Sequence, residues 1–412
     1  MADAARRRTS RASARGVSRT RRRRLFPTKV AVVGAGQSAF GARGLSAPQL
    51  FFEAFVACVD SVDRGATALE VEEAYIGSVG FGGAQLGNTA AQLTESCGLA
   101  GIGVRRVENA CASSGFAFRD AFHAIASGAA DLVVAGGVER MNDLSAEHQR
   151  FWLGVSGDTL WERLAGATFP GIYALMANRH MHEFGTTKEA LAACAVKNHR
   201  FGAANPKAQF QKAITLQQAL EAPMVAAPLN VYDCCSTTDG ASAVLLASAR
   251  LARKLTDTPI WVGGSGAGSD LLALHDRPTI TSLLATKVAA QGAFRKTGLR
   301  PRDLDVAEVH DCFTIAEVLA IEDLGLARKG EGGPAILSGA TDREGEVAVN
   351  LSGGLKAKGH PLGATGTGQV AEVFAQLRGQ VPKARRRSDA QVGLTHNVGG
   401  SGATCAVHLL WR

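Results

Sequence analysis

The eight cysteines of this 412-residue chain (Cys58, Cys97, Cys111, Cys194, Cys234, Cys235, Cys312 and Cys405) include no CxxC pair and no Cys/His spacing of a zinc site. That argues against a structural metal and a disulfide scaffold, and free thiols in a reducing, cytoplasmic compartment are the expectation. No apolar run approaches the ~18–20 residues of a membrane helix, so no membrane partner is expected. Aromatic residues make up 6% and charged residues 20%, against 46% hydrophobic, the balance of a soluble globular protein. Beyond residue 28 the chain also lacks a charge excess. Residues 1–28 hold ten arginines and one acid, Asp3, so the formal charge of +8 leaves −1 for everything after them. The body therefore gives no electrostatic case for nucleic acid. The arginine-rich segment is expected to be disordered. Its composition suits a mitochondrial or other organelle transit peptide, but a start codon placed too far upstream is the favoured reading.

What the chain does have is length, glycine and an internal repeat. It is too long for one ordinary core and suggests two domains or a duplicated one. Its 48 glycines, about 12% against a usual ~7%, imply many tight turns. Two halves can be laid over each other. The strand at Val30 matches the strand at Ile260, and residues 69–77 match residues 304–312. The amphipathic helix after Cys111 matches the helix after His360, with Phe118, Phe122 and Ile125 answering Val370, Val373, Phe374 and Leu377. Residues 131–135 match 391–395, and the strand at Gly240 echoes the strand at Gly402. The resulting plan has an extension over residues 1–28, a first half over 29–255 and a second over 256–412. A mainly helical insertion, 139–224, has no counterpart in the second half. Strands alternating with helices predict an α/β protein with mostly parallel central sheets.

Three motifs carry chemistry. In Asn109-Ala-Cys111-Ala-Ser-Ser-Gly115 a thiol precedes a long helix, where the macrodipole and free N–H groups favour thiolate. In Lys358-Gly-His360-Pro-Leu-Gly-Ala-Thr-Gly366 a tight, glycine-rich loop projects an imidazole, the usual partner of a reactive thiol. In His310-Asp-Cys312-Phe313 an imidazole and a second thiol lie one residue apart at a strand end. If strand pairing persists there, both face one side. A nucleophile, a base, an oxyanion donor and a second acid/base make up the equipment of acyl transfer between thioesters.

In this order and with this duplication, the motifs resemble those of the thiolase family. The His-Asp-Cys-Phe form is similar to the sterol-carrier-protein-type thiolases and to thiolases of archaea and related bacteria. The resemblance spans residues 29–412 and implies the five-layered αβαβα thiolase fold, a duplicated α/β architecture with an inserted loop domain. It implies an acyltransferase that reversibly condenses acetyl-CoA or cleaves 3-oxoacyl-CoA such as acetoacetyl-CoA, with coenzyme A thioesters as substrates and neither cofactor nor metal. Carried over by position, Cys111 is the acylated nucleophile and His360 activates it. His310 donates to one oxyanion hole, and the N–H groups of Cys111 and Gly399 form the other. Many thiolases carry their acid/base cysteine in a C-terminal Cys-x-Gly motif. This chain has Asn397 there, and Cys312 is the natural substitute. Cys235 stands where biosynthetic members have a serine near the pantetheine arm. For the phosphates of CoA, the cations Lys197 and Arg200, with His199, offer a surface, alongside Lys207 and Lys212. The resemblance also implies a homodimer or homotetramer, with a small OB-fold/zinc-ribbon partner protein as a further possibility.

Three rival readings fit less well. A dinucleotide-binding oxidoreductase lacks the acid-tipped second strand that Gly34-Ala-Gly36-Gln-Ser-Ala39 would need. A β-ketoacyl synthase has no second catalytic cysteine. A thiolase-like carbon–carbon lyase or lipid-binding relative usually loses part of the Cys/His set, and here none is missing.

Overall fold

The computed structural model describes residues 29–412. The arginine-rich segment, with the expectations of disorder, transit or a misplaced start attached to it, lies outside the described residues. The first half runs β1 (Val30–Gln37), α1 (Ala47–Asp60), β2 (Glu73–Gly77), α2 (Thr89–Glu95), β3 (Gly103–Val107), α3 (Ser113–Ser127) and β4 (Leu132–Glu139). It continues through α4 (Ala146–Gly154), α5 (Phe169–Phe184), α6 (Lys188–Gly202) and α7 (Leu216–Leu220). The short hairpin β5 (Met224–Ala226) and β6 (Leu229–Asn230) then leads to β7 (Gly240–Ser248). The second half runs α8 (Ala249–Leu255), β8 (Ile260–Ser269), α9 (Leu284–Thr297), β9 (Val306–Glu308), α10 (Thr314–Asp323), α11 (Gly332–Leu337) and β10 (Ala348–Val349). It ends with α12 (Gly354–Ala357), α13 (Thr365–Arg378), β11 (Val392–Gly399) and β12 (Thr404–Trp411).

The sheet order is β10-β9-β11-β12-β8-β1-β7-β4-β2-β3, which reads as the same five-strand plan twice, joined back to back where β1 pairs with β8. Every sequence correspondence falls on equivalent elements: β1 with β8, β2 with β9, α3 with α13, β4 with β11, and β7 with β12. The sheets are mixed, not mostly parallel as the strand–helix alternation predicted. Only β3-β2-β4 and β10-β9-β11 run parallel. After β4 the chain makes the long excursion of α4–α7 and re-enters from the opposite end, so β7 lies antiparallel to both β4 and β1.

Side-chain alternation on these strands explains the layers. In β7, Ala241, Ala243, Leu245 and Ala247 pack outward with Leu50, Phe51 and Ala54 of α1. Val244 and Leu246 point inward toward Ala117, Phe118 and Ala121 of α3. On the other sheet α9 covers the outer face of β8 and β12. Between the sheets, α3 and α13 lie against each other and touch strands of both halves, completing five layers. Each central helix ends on a left-handed glycine, Gly128 (φ 81°) and Gly379 (φ 70°), the conformation that lets a non-branched backbone close a helix. Neither has a side-chain cap of its own at its start. The third N–H of each is instead met from the opposite half: Gly115 donates to Asn397 Oδ1 (3.2 Å) and Thr367 to Ser114 Oγ (3.1 Å). The two helix starts are thus sewn together, and the reactive motifs precede both.

Candidate active site

Cys111 is held in a tight turn ahead of α3. Ala110 takes a left-handed φ of 49°, a strain of about 1–2 kcal/mol for an alanine. Ser113 Oγ secures the turn, accepting from Asn109 N–H (3.0 Å) and donating to the Ala110 carbonyl (2.6 Å). The thiol is buried, and the nearby backbone N–H groups of Gly400 and of Cys111 itself favour its charged form. Burial, with Cys235 nearby, pushes this thiol up to about 12. The helix start alone favours thiolate. In the closed site desolvation outweighs it, and the resting group is a thiol.

His360 leaves Gly359, whose φ of 112° suits only glycine, and its N–H donates to Thr238 Oγ1 (2.9 Å). Its Nδ1 lies 2.6 Å from Thr365 Oγ1, and that hydroxyl donates its one proton to the Pro361 carbonyl (3.0 Å). Thr365 must therefore accept from the ring, so Nδ1 carries the proton and Nε2 presents a lone pair. Burial, then the cations of Lys358 and Lys356, hold His360 down to about 3, so it is neutral at physiological pH. Its Nε2 is buried without a hydrogen-bond partner. This is a base with nothing yet to take.

His310 and Cys312 do not lie on a strand. β9 ends at Glu308, and the motif forms the turn into α10, so strand alternation does not set their directions. The turn is fixed instead by Val309 N–H on Asn350 Oδ1 (2.8 Å) and His310 N–H on His396 Nδ1 (3.3 Å). The outcome still brings His310 into the site. Cys111 Sγ and one ring nitrogen each from His310 and His360 lie within 4.8 Å of one another. The two rings stand 5.0 Å apart at 81°. Like His360, His310 is buried and neutral, with an unpartnered Nε2. Cys312 lies close enough to Cys111 and Cys235 that both add to the upward push of burial on its thiol. Cys235 donates its N–H to the Cys312 carbonyl (2.9 Å), which places it in the wall of the same site.

The expected CoA contacts Lys197, His199 and Arg200 are corrected. Lys197 is buried in an ion pair with Glu317 and does not face solvent (6% exposed). His199 is also buried, bonded to the Lys212 carbonyl and held down to about 4 by desolvation, so it carries no charge for a phosphate. Arg200 is on the surface but paired with Asp342. Their helix, α6, turns its middle into the core against α10 and α12. Gly399 is pressed on the Asn109 carbonyl, where a Cβ would lie 2.4 Å from the oxygen. Next to it, the N–H of Gly400 lies beside the Cys111 sulfur.

Four residues escaped the sequence reading. Thr365 lies inside the His360 motif and could have been suspected as its ring partner. Asn397 was noticed only as a missing cysteine. It receives Gly115 N–H, donates to the Cys111 carbonyl (2.9 Å), and lies 3.4 Å from His310 Nδ1. Tyr173 of the insertion stacks on Phe313 (4.5 Å) and donates to the Gly400 carbonyl (3.1 Å), beside the Cys312 thiol. Buried Glu139 accepts from Val79, Gly80, Phe81 and Gly363, tying a first-half loop to the His360 loop. No local pattern marks Tyr173 or Glu139, because their partners are remote in sequence.

A buried thiol at a helix start, facing two neutral imidazoles across the seam of a duplicated α/β fold, defines an acyl-transfer enzyme of the Cys–His type. Residues 30–250 match the thiolase N-terminal domain and residues 266–412 a thiolase C-terminal domain-like model. The acetyl-CoA acetyltransferase of Methanothermobacter thermautotrophicus is 45% identical, over 93% of this chain and 99% of its own. Sterol carrier protein 2 of Bos taurus is 33% identical over 91% of this chain and 71% of its own. Among solved structures, an Ltp2-ChsH2(DUF35) aldolase superposes with a TM-score of 0.80 at 24% identity, covering 94% of this chain and 99% of that one. The chain belongs to the thiolase family and is an acyltransferase.

Proposed function

We propose that the chain interconverts acetoacetyl-CoA and two acetyl-CoA through an acyl-Cys111 intermediate. The observation that carries this is the pair of buried, unpartnered Nε2 atoms converging on the Cys111 thiol. In the cleavage direction His360 Nε2 takes the thiol proton as the sulfur attacks the 3-keto carbon. The N–H groups of Cys111 and Gly399 hold the oxyanion in this reading, with that of Gly400 beside the sulfur. As the C2–C3 bond breaks, His310 stabilises the enolate oxygen of the departing acetyl-CoA, and Cys312 gives its proton to the carbon. The CoA thiol then passes its proton to the Cys312 thiolate and attacks the acyl group. Cys111 leaves and recovers its proton from His360. Condensation is the reverse. The high proton affinity of Cys312 suits it to abstract a proton from carbon only when substrate is held against it. Presence of both thiols and both histidines favours this reading over a lyase that lacks part of the set.

Similarity to the acetyl-CoA acetyltransferase of Methanothermobacter thermautotrophicus supports acetyl as the group carried and CoA as its carrier. The superposed structure is an Ltp2-ChsH2(DUF35) aldolase, and a small OB-fold/zinc-ribbon partner alongside self-association is the reading proposed for this chain. No helix among the described residues is long and apolar enough to cross a membrane, and a cytoplasmic location is the reading proposed.

The test uses absorbance of the acetoacetyl-CoA enolate. Cys111→Ala should abolish CoA-dependent cleavage, and retained turnover would remove Cys111 as nucleophile. Cys312→Ala should still acylate Cys111 from acetyl-CoA, seen by mass spectrometry, while condensation stops. Normal condensation in that variant would assign the acid/base role elsewhere.

A further inference from the structure

Two histidines of one site are asked for opposite roles, one accepting a proton and one donating a hydrogen bond, and both are neutral. Burial holds both rings neutral, so the division must come from which nitrogen of each ring is protonated. Thr365 settles this for His360. The corresponding device for His310 is Asn397.

The orientation of the Asn397 amide is determined by two backbone groups that do not titrate. Its oxygen receives Gly115 N–H (3.2 Å) and its nitrogen donates to the Cys111 carbonyl (2.9 Å). Turned over, the amide would set oxygen against carbonyl and NH2 against N–H. Held as it is, the amide nitrogen has one hydrogen left, and the neighbour it meets is His310 Nδ1 at 3.4 Å. A protonated Nδ1 would face that hydrogen, donor against donor. Nδ1 therefore carries the lone pair and the ring proton resides on Nε2, the atom that is buried, unpartnered and near the thiol. The opposite edge of the motif is held by His396, whose Nδ1 accepts His310 N–H while its Nε2 contacts Thr286 Oγ1 (2.9 Å). His396 thereby fixes the backbone from which the His310 ring projects.

We infer that Asn397 is the positioning residue that makes His310 a hydrogen-bond donor, by fixing its Nε2–H tautomer. The position that holds a reactive cysteine in many relatives has become the orienter of a histidine. This rests on the reading of His310 as an oxyanion donor, but the tautomer itself is a property of the resting protein.

The full chain, labelled with 15N-histidine, reports it directly by long-range nitrogen–proton NMR, the His310 signals being identified by their loss in His310→Asn. The expected wild-type pattern is a protonated Nε2 and a bare Nδ1; the reverse overturns the proposal. In Asn397→Asp the carboxylate cannot donate, so the proton should move to Nδ1. The kcat for acetoacetyl-CoA cleavage should fall about 100-fold, the loss of one oxyanion donor, with KM changed less than about threefold. A purely structural role predicts the same fall whatever residue 310 is. In the His310→Asn background, where no tautomer exists, the same Asn397 substitution should cost at least about tenfold less in kcat than it does with His310 in place, the remainder being the lost bond to the Cys111 carbonyl. An equal fall in both backgrounds, or an unmoved proton in Asn397→Asp, overturns the inference. A wild-type protein that cleaves nothing yet shows the Nε2–H form would instead sink the catalytic reading and leave the tautomer assignment standing.

Discussion

Single side chains decide which nitrogen, sulfur or oxygen is available. Thr365→Val removes the acceptor of His360 Nδ1–H while keeping the side chain's shape. The ring is then free to place its proton on Nε2, where it cannot act as a base. The expected result is a kcat lowered about 10–100-fold, with far-UV circular dichroism unchanged, read from acetoacetyl-CoA cleavage. Lys197 illustrates the reverse error, a cation that looks like a phosphate ligand in sequence. In the fold its ammonium meets Glu317, which also holds Asn198 and Asn350 (2.8 Å each). Lys197→Ala leaves Glu317 buried without its cation, and about 3–5 kcal/mol should be lost in urea unfolding. The KM for CoA should stay put, and a KM raised tenfold or more in folded protein would restore Lys197 as a CoA contact. A lysine on a helix is ordinarily solvated. Only the identity of what lies across from it turns it into a core residue, and that neighbour is 120 positions away.

Elements meet at the site with almost no clearance, and glycine is what permits it. A Cβ on Gly366 would lie 2.3 Å from the Gly115 nitrogen, and one on Gly137 would lie 2.0 Å from the Gly363 carbonyl oxygen. Neither neighbour is a flexible side chain, so Gly366→Ala must push the starts of α3 and α13 apart. It should lower the unfolding midpoint, and it should cut kcat more than tenfold through displacement of His360; a fully active variant would show that the helix starts tolerate separation. Glu139 joins the same elements by charge. With four backbone N–H groups bonded to one buried carboxylate, Glu139→Gln turns an NH2 toward donors it cannot satisfy, an expected cost of about 1–3 kcal/mol by denaturant unfolding. The existence of the central helices was legible from their apolar stripes at Phe118, Ile125, Val370 and Phe374. Their mutual capping was not, because each cap is supplied by the other half, 253 and 282 residues away.

At the scale of the whole molecule, the seam between halves is buried and rich in neutral imidazole. His396, His360 and His408 are each held down to about 3 by burial, and His310 lower than usual by the same cause. His408, bonded to the Gly115 carbonyl and to Ser265, plays no part in the proposed chemistry and isolates the effect. Above about pH 6.5 it is neutral folded or unfolded. As pH falls below that value the unfolded chain takes up a proton that the folded one refuses, so stability drops by about 1.4 kcal/mol per pH unit until about pH 3. Glu308 and Asp311, raised to about 7 by burial, act oppositely, contributing most at low pH and losing that contribution as pH rises through 7. A single substitution separates these terms. His408→Gln should lose about 1 kcal/mol less than wild type between about pH 7.5 and pH 5.5 in urea titrations, and identical losses would mean that His408 takes up its proton in the native state as readily as in the unfolded one.

The residues by themselves determined the duplication, the two central helices, the insertion within the first half and the three motifs. Periodicity and local composition are written in consecutive positions, and nothing distant can erase them. The tertiary structure alone decided the protonation states, the tautomers and the partners. Whether Cys111 rests as thiol or thiolate depends on how much water the assembled layers exclude. Whether His310 faces the thiol depends on Asn350, His396 and Asn397 gripping a turn that no strand pattern governs. Helix dipoles act within a turn of the chain, whereas desolvation and hydrogen-bond direction are set by groups that meet only when both halves have closed on each other.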